Sequence, residues 1–344
     1  VATADQSGST DVRVSSSAPG VAPAIERRSR GWLEAYALPI AWLIIIIIFS
    51  IIRPETFAQW SNVSSILASN AVLVIVSLAL IVPLTTGDFD LSVAAVAGFS
   101  AVTVAHLNVN WGWNIWLAVG CALLVGLVVG LINGWLIVKL NIESLIVTLG
   151  MSTIVTGLML WVTGARTVTG VDPALVNMVI RGRLFGIPYI FFYALLLTVA
   201  LWYVFQHTPV GQRMLVAGRN RDVARLAGMR VGLLRWGAMV AGSLMAAFAG
   251  VLLVGMSASA GPSTGVDYLL PAFAAAFLGS TTIRPGRFNA WGTFIAVYFL
   301  VTGITALQLL GAKTFVQYLF YGIALIVAVA LSQHIKRRRL RQGF

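Results

Sequence analysis

From Ser64 to Leu84 the chain reads SSILASNAVLVIVSLALIVPL, a run without one charged side chain. As a helix of about 21 residues it is about 31 Å long, the hydrocarbon thickness of a bilayer. No polar stripe recurs every three or four positions, so it does not read as a helix half-buried on a soluble core. Further apolar runs lie near 34–52, 91–107, 113–137, 145–163, 185–206, 236–256, 268–283, 290–309 and 315–333. Together they predict an all-α, polytopic integral membrane helix bundle of about ten transmembrane helices. The runs at 91–107 and 268–283 are short, rich in small residues and bounded by acidic or Gly/Pro loops, which marks each as a possible broken or half-crossing helix.

Composition agrees. The 344 residues are 59% hydrophobic and only 10% charged, against about a quarter charged in soluble domains. A soluble enzyme and a disordered chain are both excluded. With one cysteine, Cys121, the chain has no intrachain disulfide. Of its 23 Lys and Arg residues, 18 fall on the tails and loops of one side of a ten-span arrangement and 5 on the other. Basic residues accumulate on the cytoplasmic side of membrane proteins, so both termini are expected there. The basic pI then reflects topology and contact with anionic membrane lipids, with no nucleic-acid partner.

The expected organisation is a disordered cytoplasmic tail over residues 1–30, a membrane domain over 31–335 with a cytoplasmic loop at 207–235, and a basic tail over 336–344. The first apolar run follows a long polar segment, unlike a secretory signal peptide, and is expected to be retained. Small residues recur at four-residue spacing in three runs: Gly126, Gly130 and Gly134; Ala238, Gly242, Ala246 and Gly250; and Ala272, Ala276 and Ser280. Such faces let helix backbones approach closely, and they imply packing, within the chain or at a dimer seam, before any chemistry.

Candidate chemistry is sparse. Asp88 and Asp90 stand where the 64–84 run ends and the next begins, and a carboxylate inside a membrane costs about 2.5 to 3.5 kcal/mol, so each needs a reason. Asp90 or Ser92 can cap the following helix, line a substrate path, or do both. Asn70, Asn133 and Thr148 are polar residues in or beside spans; each suits an interhelical hydrogen bond or a path for a hydroxylated substrate. His106, His207 and His334 are too scattered for a metal site. No phosphate-binding loop is present, so ATP is not bound here by that device, and no proton relay or catalytic set is apparent.

The loop at 207–235 carries six Arg against Asp222 alone. Within it, Gly218 to Met229 reads as a short amphipathic helix with Val223, Leu226 and Ala227 on one face and Gly228 as its stop. Two readings stand: a positive topology loop, and a rigid knob that docks in a groove of a cytosolic protein.

Three stretches together resemble the permease family of bacterial ATP-binding-cassette importers that includes the ribose, xylose and galactose systems, with branched-chain amino-acid permeases as distant relatives. They are Thr86 to Val93; Gly130-Leu131-Ile132-Asn133-Gly134 with Leu145 to Gly150; and Gly211-Gln212-Arg213 through Gly218-Arg219-Asn220 to Ala224 and Gly228. Asp88 departs from that pattern by placing a charge where many members carry an apolar residue.

The resemblance implies a ten-helix permease, itself no enzyme, in a bacterial inner membrane, importing a monosaccharide (pentose or hexose) by alternating access. It implies as partners a second permease copy, identical or related, two ATP-binding subunits and a periplasmic or extracellular sugar-binding protein. No cofactor is expected in this chain, since ATP and Mg would be held by the ATP-binding subunits. It further implies that Gly218, Arg219, Asn220, Asp222, Ala224, Arg225 and Gly228 couple to the ATPase. A charged replacement of Ala224 is then expected to uncouple transport. The alternative is a self-sufficient ion-coupled transporter or channel, for which Asp88 and Asp90 would be the ion site.

Overall fold

A computed structural model describes the backbone of residues 24–341 and the side chains of residues 35–334. The chain is helical almost throughout: α1 (Ala24–Ile52), α2 (Trp60–Ser69), α3 (Ala71–Thr85), α4 (Val93–Ala105), α5 (Ile115–Lys139), α6 (Ser144–Thr163), α7 (Pro173–Val176), α8 (Tyr189–His207), α9 (Pro209–Arg219), α10 (Arg221–Leu226), α11 (Val231–Ser257), α12 (Leu269–Gly279), α13 (Ala290–Leu309) and α14 (Thr314–Arg341). Of the expected tails, residues 1–23 and 342–344 lie outside the described residues; 24–30 open α1 and 336–341 close α14.

Among the described residues nine helical segments are long and apolar enough to cross a membrane. The 64–84 run is α2 and α3 joined at Asn70. The 91–107 run crosses in full, because a π-helical turn over His106–Asn110 extends α4.

The tenth run, 268–283, is the broken crossing that its small residues and Gly/Pro loops mark it as: its helix, Val266–Gly279, is 14 residues long and spans only about 21 Å. The chain nevertheless traverses the bundle there. Ser259–Ala260 pairs antiparallel with Val168–Thr169 at one end, and Gly265 then lies against the backbone of Ala94 and Gly98 midway along α4. Ser280 reaches Ser332, near the end of α14, at the other end. The crossing is thus part loop, over 258–265, and part helix. Non-helical backbone at membrane depth needs protein around it. Gly98 supplies the room, since a Cβ there would overlap the Thr264 carbonyl.

The centre of the bundle is α3, buried on every side, with α11 running beside α3, α4 and α5. The small-residue faces are used within the chain. Gly126 and Gly130 lie against Ser243 and Val240, Gly134 against Trp236, Gly242 against Ala79, and Gly250 against Ala97. Ala272 and Ala276 are buried. By contrast α1 and α14 leave most of their apolar surface outward, as lipid-facing helices do.

The two ends of the bundle differ in charge. Lys139, Arg213, Arg219, Arg221, Arg225, Arg230, Arg235, Arg284 and Arg287 cluster at the end that carries α9 and α10. Arg53, Arg166, Arg181, Arg183 and Lys313 stand at the other.

Candidate functional site: a clamped hairpin under α10

Residues Thr86 to Ser92 form a tight non-helical hairpin between α3 and α4 at the basic end of the bundle. Gly87 turns it with φ +82°, a left-handed conformation that suits glycine. The segment is held from three sides. From α6, Ser144 Oγ accepts from the Phe89 amide at 3.0 Å and Thr148 Oγ1 accepts from the Leu91 amide at 3.0 Å. From α5, Asn133 Nδ2 donates to Ser92 Oγ at 3.0 Å. Within the hairpin, Asp90 Oδ1 accepts from the Ser92 amide at 2.9 Å and the Ser92 hydroxyl at 2.6 Å. Asp90 therefore orders the start of α4, while the Ser92 side chain makes no capping bond.

The third hold is electrostatic. Asp88 is 1% exposed, and its carboxylate meets two guanidinium groups. Arg235, near the start of α11, grips both oxygens, Nε to Oδ2 at 2.8 Å and Nη2 to Oδ1 at 2.7 Å. Arg221, first residue of α10, adds Nη2 to Oδ1 at 2.9 Å. A carboxylate this deep is tolerated because charge-assisted bonds replace its lost hydration. Asp90 and Asn133 are fully buried and less well matched: Asp90 Oδ2 and Asn133 Oδ1 have no hydrogen-bond partner among the described residues. Burial pushes the Asp90 carboxyl up from its ordinary value, against the lowering effect of its bonds to Ser92 and Val93.

Five of the six polar residues named for a path, Asp88, Asp90, Ser92, Asn133 and Thr148, thus lie together. Asn70 does not join them. It sits at the α2–α3 junction, where Nδ2 donates to the Ile66 carbonyl at 3.0 Å, a full α3 length away.

Above the hairpin, the 207–235 loop carries two helices, α9 and α10, and the short helix expected within Gly218 to Met229 is α10. The break is Asn220, whose backbone is extended and whose Oδ1 accepts from the amides of Asp222 and Val223, an N-cap that starts α10 afresh. Gly218 seats α9 directly on the α3 terminus, since a Cβ there would overlap the Thr85 carbonyl. Gly228, at φ +76°, ends the turn after α10.

Ala224 faces inward, fully buried with Ala217 and Val231, so a bulky replacement there would unseat α10. Val223 and Leu226 point outward, and Leu226 is 88% exposed. Asp222 and Arg225 pair with each other at 3.6 Å on the same open surface.

Arg219 turns to the side. With Gly87, Phe89, Phe277, Ser280 and Arg287 it lines a cavity of about 490 Å³ between the hairpin, α9, the α12–α13 loop and α14. Phe89 stacks on Phe273 and Phe277 there, at centroid separations of 6.5 Å. The cavity thus offers aromatic faces beside hydroxyl and guanidinium donors.

The sequence reading missed the arginine partners of Asp88, treating Arg221 and Arg235 only as topology charges. A signal was available. A carboxylate beside an apolar run needs a buried cation, and the 207–235 segment is where the arginines are.

Residues 62–329 match the family model described as the permease component of branched-chain amino acid transport systems. The chain is 33% identical over 291 residues to the ribose import permease protein of Bacillus subtilis (strain 168), covering 84% of this chain and 90% of that one. It is 28% identical over 304 residues to the ribose import permease protein of Escherichia coli (strain K12), covering 88% and 94%. With the L-arabinose ABC transporter permease protein of Azospirillum brasilense it shares 29% identity over 323 residues, covering 93% and 94%.

Proposed function

Since the chain belongs to the family of branched-chain amino acid transport system permease components, we propose that it is the membrane-spanning subunit of an ATP-binding-cassette importer for a monosaccharide. It is no enzyme itself; ATP and Mg are held by separate ATP-binding subunits, and a sugar-binding protein delivers the cargo on the opposite face. The subunit sits in the bacterial cell membrane with its basic end in the cytoplasm, paired with a second permease copy.

The observation that carries the sugar assignment is the similarity, over most of the chain, to permeases named for ribose and L-arabinose. Both names are pentoses, and a pentose is the first substrate to try. The geometry adds two supports. The knob formed by α10 shows Val223 and Leu226 to solvent at the basic end, a compact apolar anchor of the kind that fills a partner's groove. Beside it, the cavity with Phe89, Phe277 and Ser280 offers stacking and hydroxyl contacts at the end where cargo leaves. The ion-coupled alternative needs Asp88 and Asp90 to take an ion together; the carboxylate of Asp88 is held by Arg221 and Arg235, which leaves to it only the Asp90 oxygen that has no partner among the described residues.

The test is reconstitution. The tagged chain, drawn from its native membrane in mild detergent, brings an ATP-binding subunit with it. Proteoliposomes of that complex, given its binding protein, take up labelled D-ribose or L-arabinose only with ATP. Uptake by the chain alone in ATP-depleted vesicles, driven by a proton or sodium gradient, would overturn the reading.

A further inference from the structure

Among the described residues, the direct polar contacts between α10 and the hairpin below it all come from Arg221. Its Nη2 donates to the Thr86 carbonyl at 3.2 Å, the Gly87 carbonyl at 2.9 Å and Asp88 Oδ1 at 2.9 Å. Gly87 makes this approach possible, because a Cβ at that position would stand 3.2 Å from the same nitrogen. From this we infer that Arg221 is a positioning residue for energy coupling: it carries displacement of α10 into the Thr86–Ser92 hairpin, with the carboxylate of Asp88 as receiver. The inference rests on the importer reading and names a residue through which that reading would work.

The two arginines on Asp88 are not equivalent. Arg235 is buried and bidentate, so it holds the carboxylate whether or not Arg221 is present. Arg221 is 36% exposed along its side chain and shares Oδ1 with Arg235. Two like charges on one oxygen repel, and solvent reaches one of them, so the Arg221 bond is the one that opens at low cost. A carboxylate anchored by one cation and gripped reversibly by another behaves as a latch. Its moving part is α10, whose six residues are set off by extended Asn220 and left-handed Gly228. Its outer side is the Val223–Leu226 surface.

What the latch moves also follows from the bonds. The hairpin is fixed to α6 through Ser144 and Thr148, to α5 through Asn133 and to the start of α4 through Asp90 and Ser92. A pull at Thr86 to Asp88 is therefore delivered to three spans and to the wall of the cavity where Phe89 stands. Packing of Ala224 on Ala217 and Val231 connects α10 to α9 and α11, which meet the hairpin through Gly218 and Arg235, while the direct polar contact from α10 is Arg221 alone among the described residues. Without Arg221, α10 keeps its seat and loses its direct grip on the hairpin.

The test uses the complex of the chain with its co-purified ATP-binding subunits in proteoliposomes, carrying Cys121→Ser and Phe89→Cys. Maleimide labelling at position 89 is followed with and without ATP plus vanadate. With Arg221 intact, trapping changes the labelling rate by at least about fivefold. With Arg221→Gln the change falls below about twofold while ATP hydrolysis continues and the ATP-binding subunits stay bound, and Arg221→Lys restores part of it. In the otherwise natural chain, Arg221→Gln raises the ATP hydrolysed per sugar transported by at least about fivefold.

Full labelling response and unchanged ATP use in Arg221→Gln would overturn the latch. Loss of the ATP-binding subunits from that variant would also overturn it, since Arg221 would then belong to the docking surface. Absence of any ATP-binding subunit from the chain with Arg221 intact would bring down the importer reading itself.

Discussion

Asp88 is the residue on which the site turns, and its cost and its use have one origin. A carboxylate at 1% exposure is affordable only with Arg235 against it, and removing one partner of such a pair leaves an uncompensated buried charge worth about 3 to 5 kcal/mol. Asp88→Asn is therefore expected to lower the thermal midpoint of the detergent-solubilised chain sharply, whereas Asp88→Asn combined with Arg235→Met recovers much of the loss. Arg221→Gln is expected to leave that midpoint nearly unchanged, because Arg235 still holds the carboxylate.

Asp90 presents the opposite case, a buried carboxyl with one oxygen unpartnered. Burial raises its value in the folded chain. A raised carboxyl contributes stability that is fully present below its unfolded value and is lost as pH rises through the folded one. As pH rises above the ordinary carboxylate range, the midpoint of the natural chain should fall relative to that of Asp90→Asn. Parallel curves for the two proteins would rule this out.

At the scale of elements, α10 and the α5–α11 pair make different demands on their residues. Val223 and Leu226 carry surface and no fold, so Leu226→Asp should leave the midpoint intact and weaken recovery of the ATP-binding subunit by about tenfold or more, as a buried anchor would. Ala224→Asp should lower stability and recovery together, because Ala224 is the seat. Gly130 faces the Val240 backbone and Gly126 faces Ser243. Gly130→Leu should cost about 1 to 3 kcal/mol through overpacking, read as a lower midpoint.

Much of this was legible beforehand. The apolar runs located the spans, since length and charge alone decide what crosses a bilayer. The glycine and alanine faces located packing, although not which helix each would meet. Less legible were features set by distant pairing. The short helix within Gly218 to Met229 could be read from its apolar face and its Gly228 stop, whereas the seating of α9 on the Thr85 carbonyl through Gly218 could not. The clamp on Asp88 joins residues 133 and 147 positions apart, and neither periodicity nor spacing records such a contact. Asn70, polar in an apolar run, suits a path or a helix contact equally by sequence, and only its bond to the Ile66 carbonyl places it at the α2–α3 junction.

The whole molecule is polarised, and the polarity is testable without any partner. On a Cys121→Ser background, Ala227→Cys at the α10 end and Arg166→Cys at the other should react with an impermeant maleimide from opposite faces of the membrane. Ala227→Cys labels in inverted vesicles and Arg166→Cys in right-side-out ones. Labelling of both from the same face would contradict the single crossing, by α8, that lies between the two positions.

That same segment sets an order on biogenesis. A helix of about 21 Å preceded by non-helical backbone is a poor candidate for lateral release into lipid as it leaves the ribosome. The groove that receives it is built by α4, with Gly98 and Ala94 as its floor, and is closed by α13 and α14, which are synthesised afterwards. The chain between Ser257 and Ala290 must therefore wait at the insertion machinery until its successors emerge, and a nascent chain arrested before α13 would hold the segment outside the bilayer. The last quarter of this protein is then expected to enter the membrane as one piece.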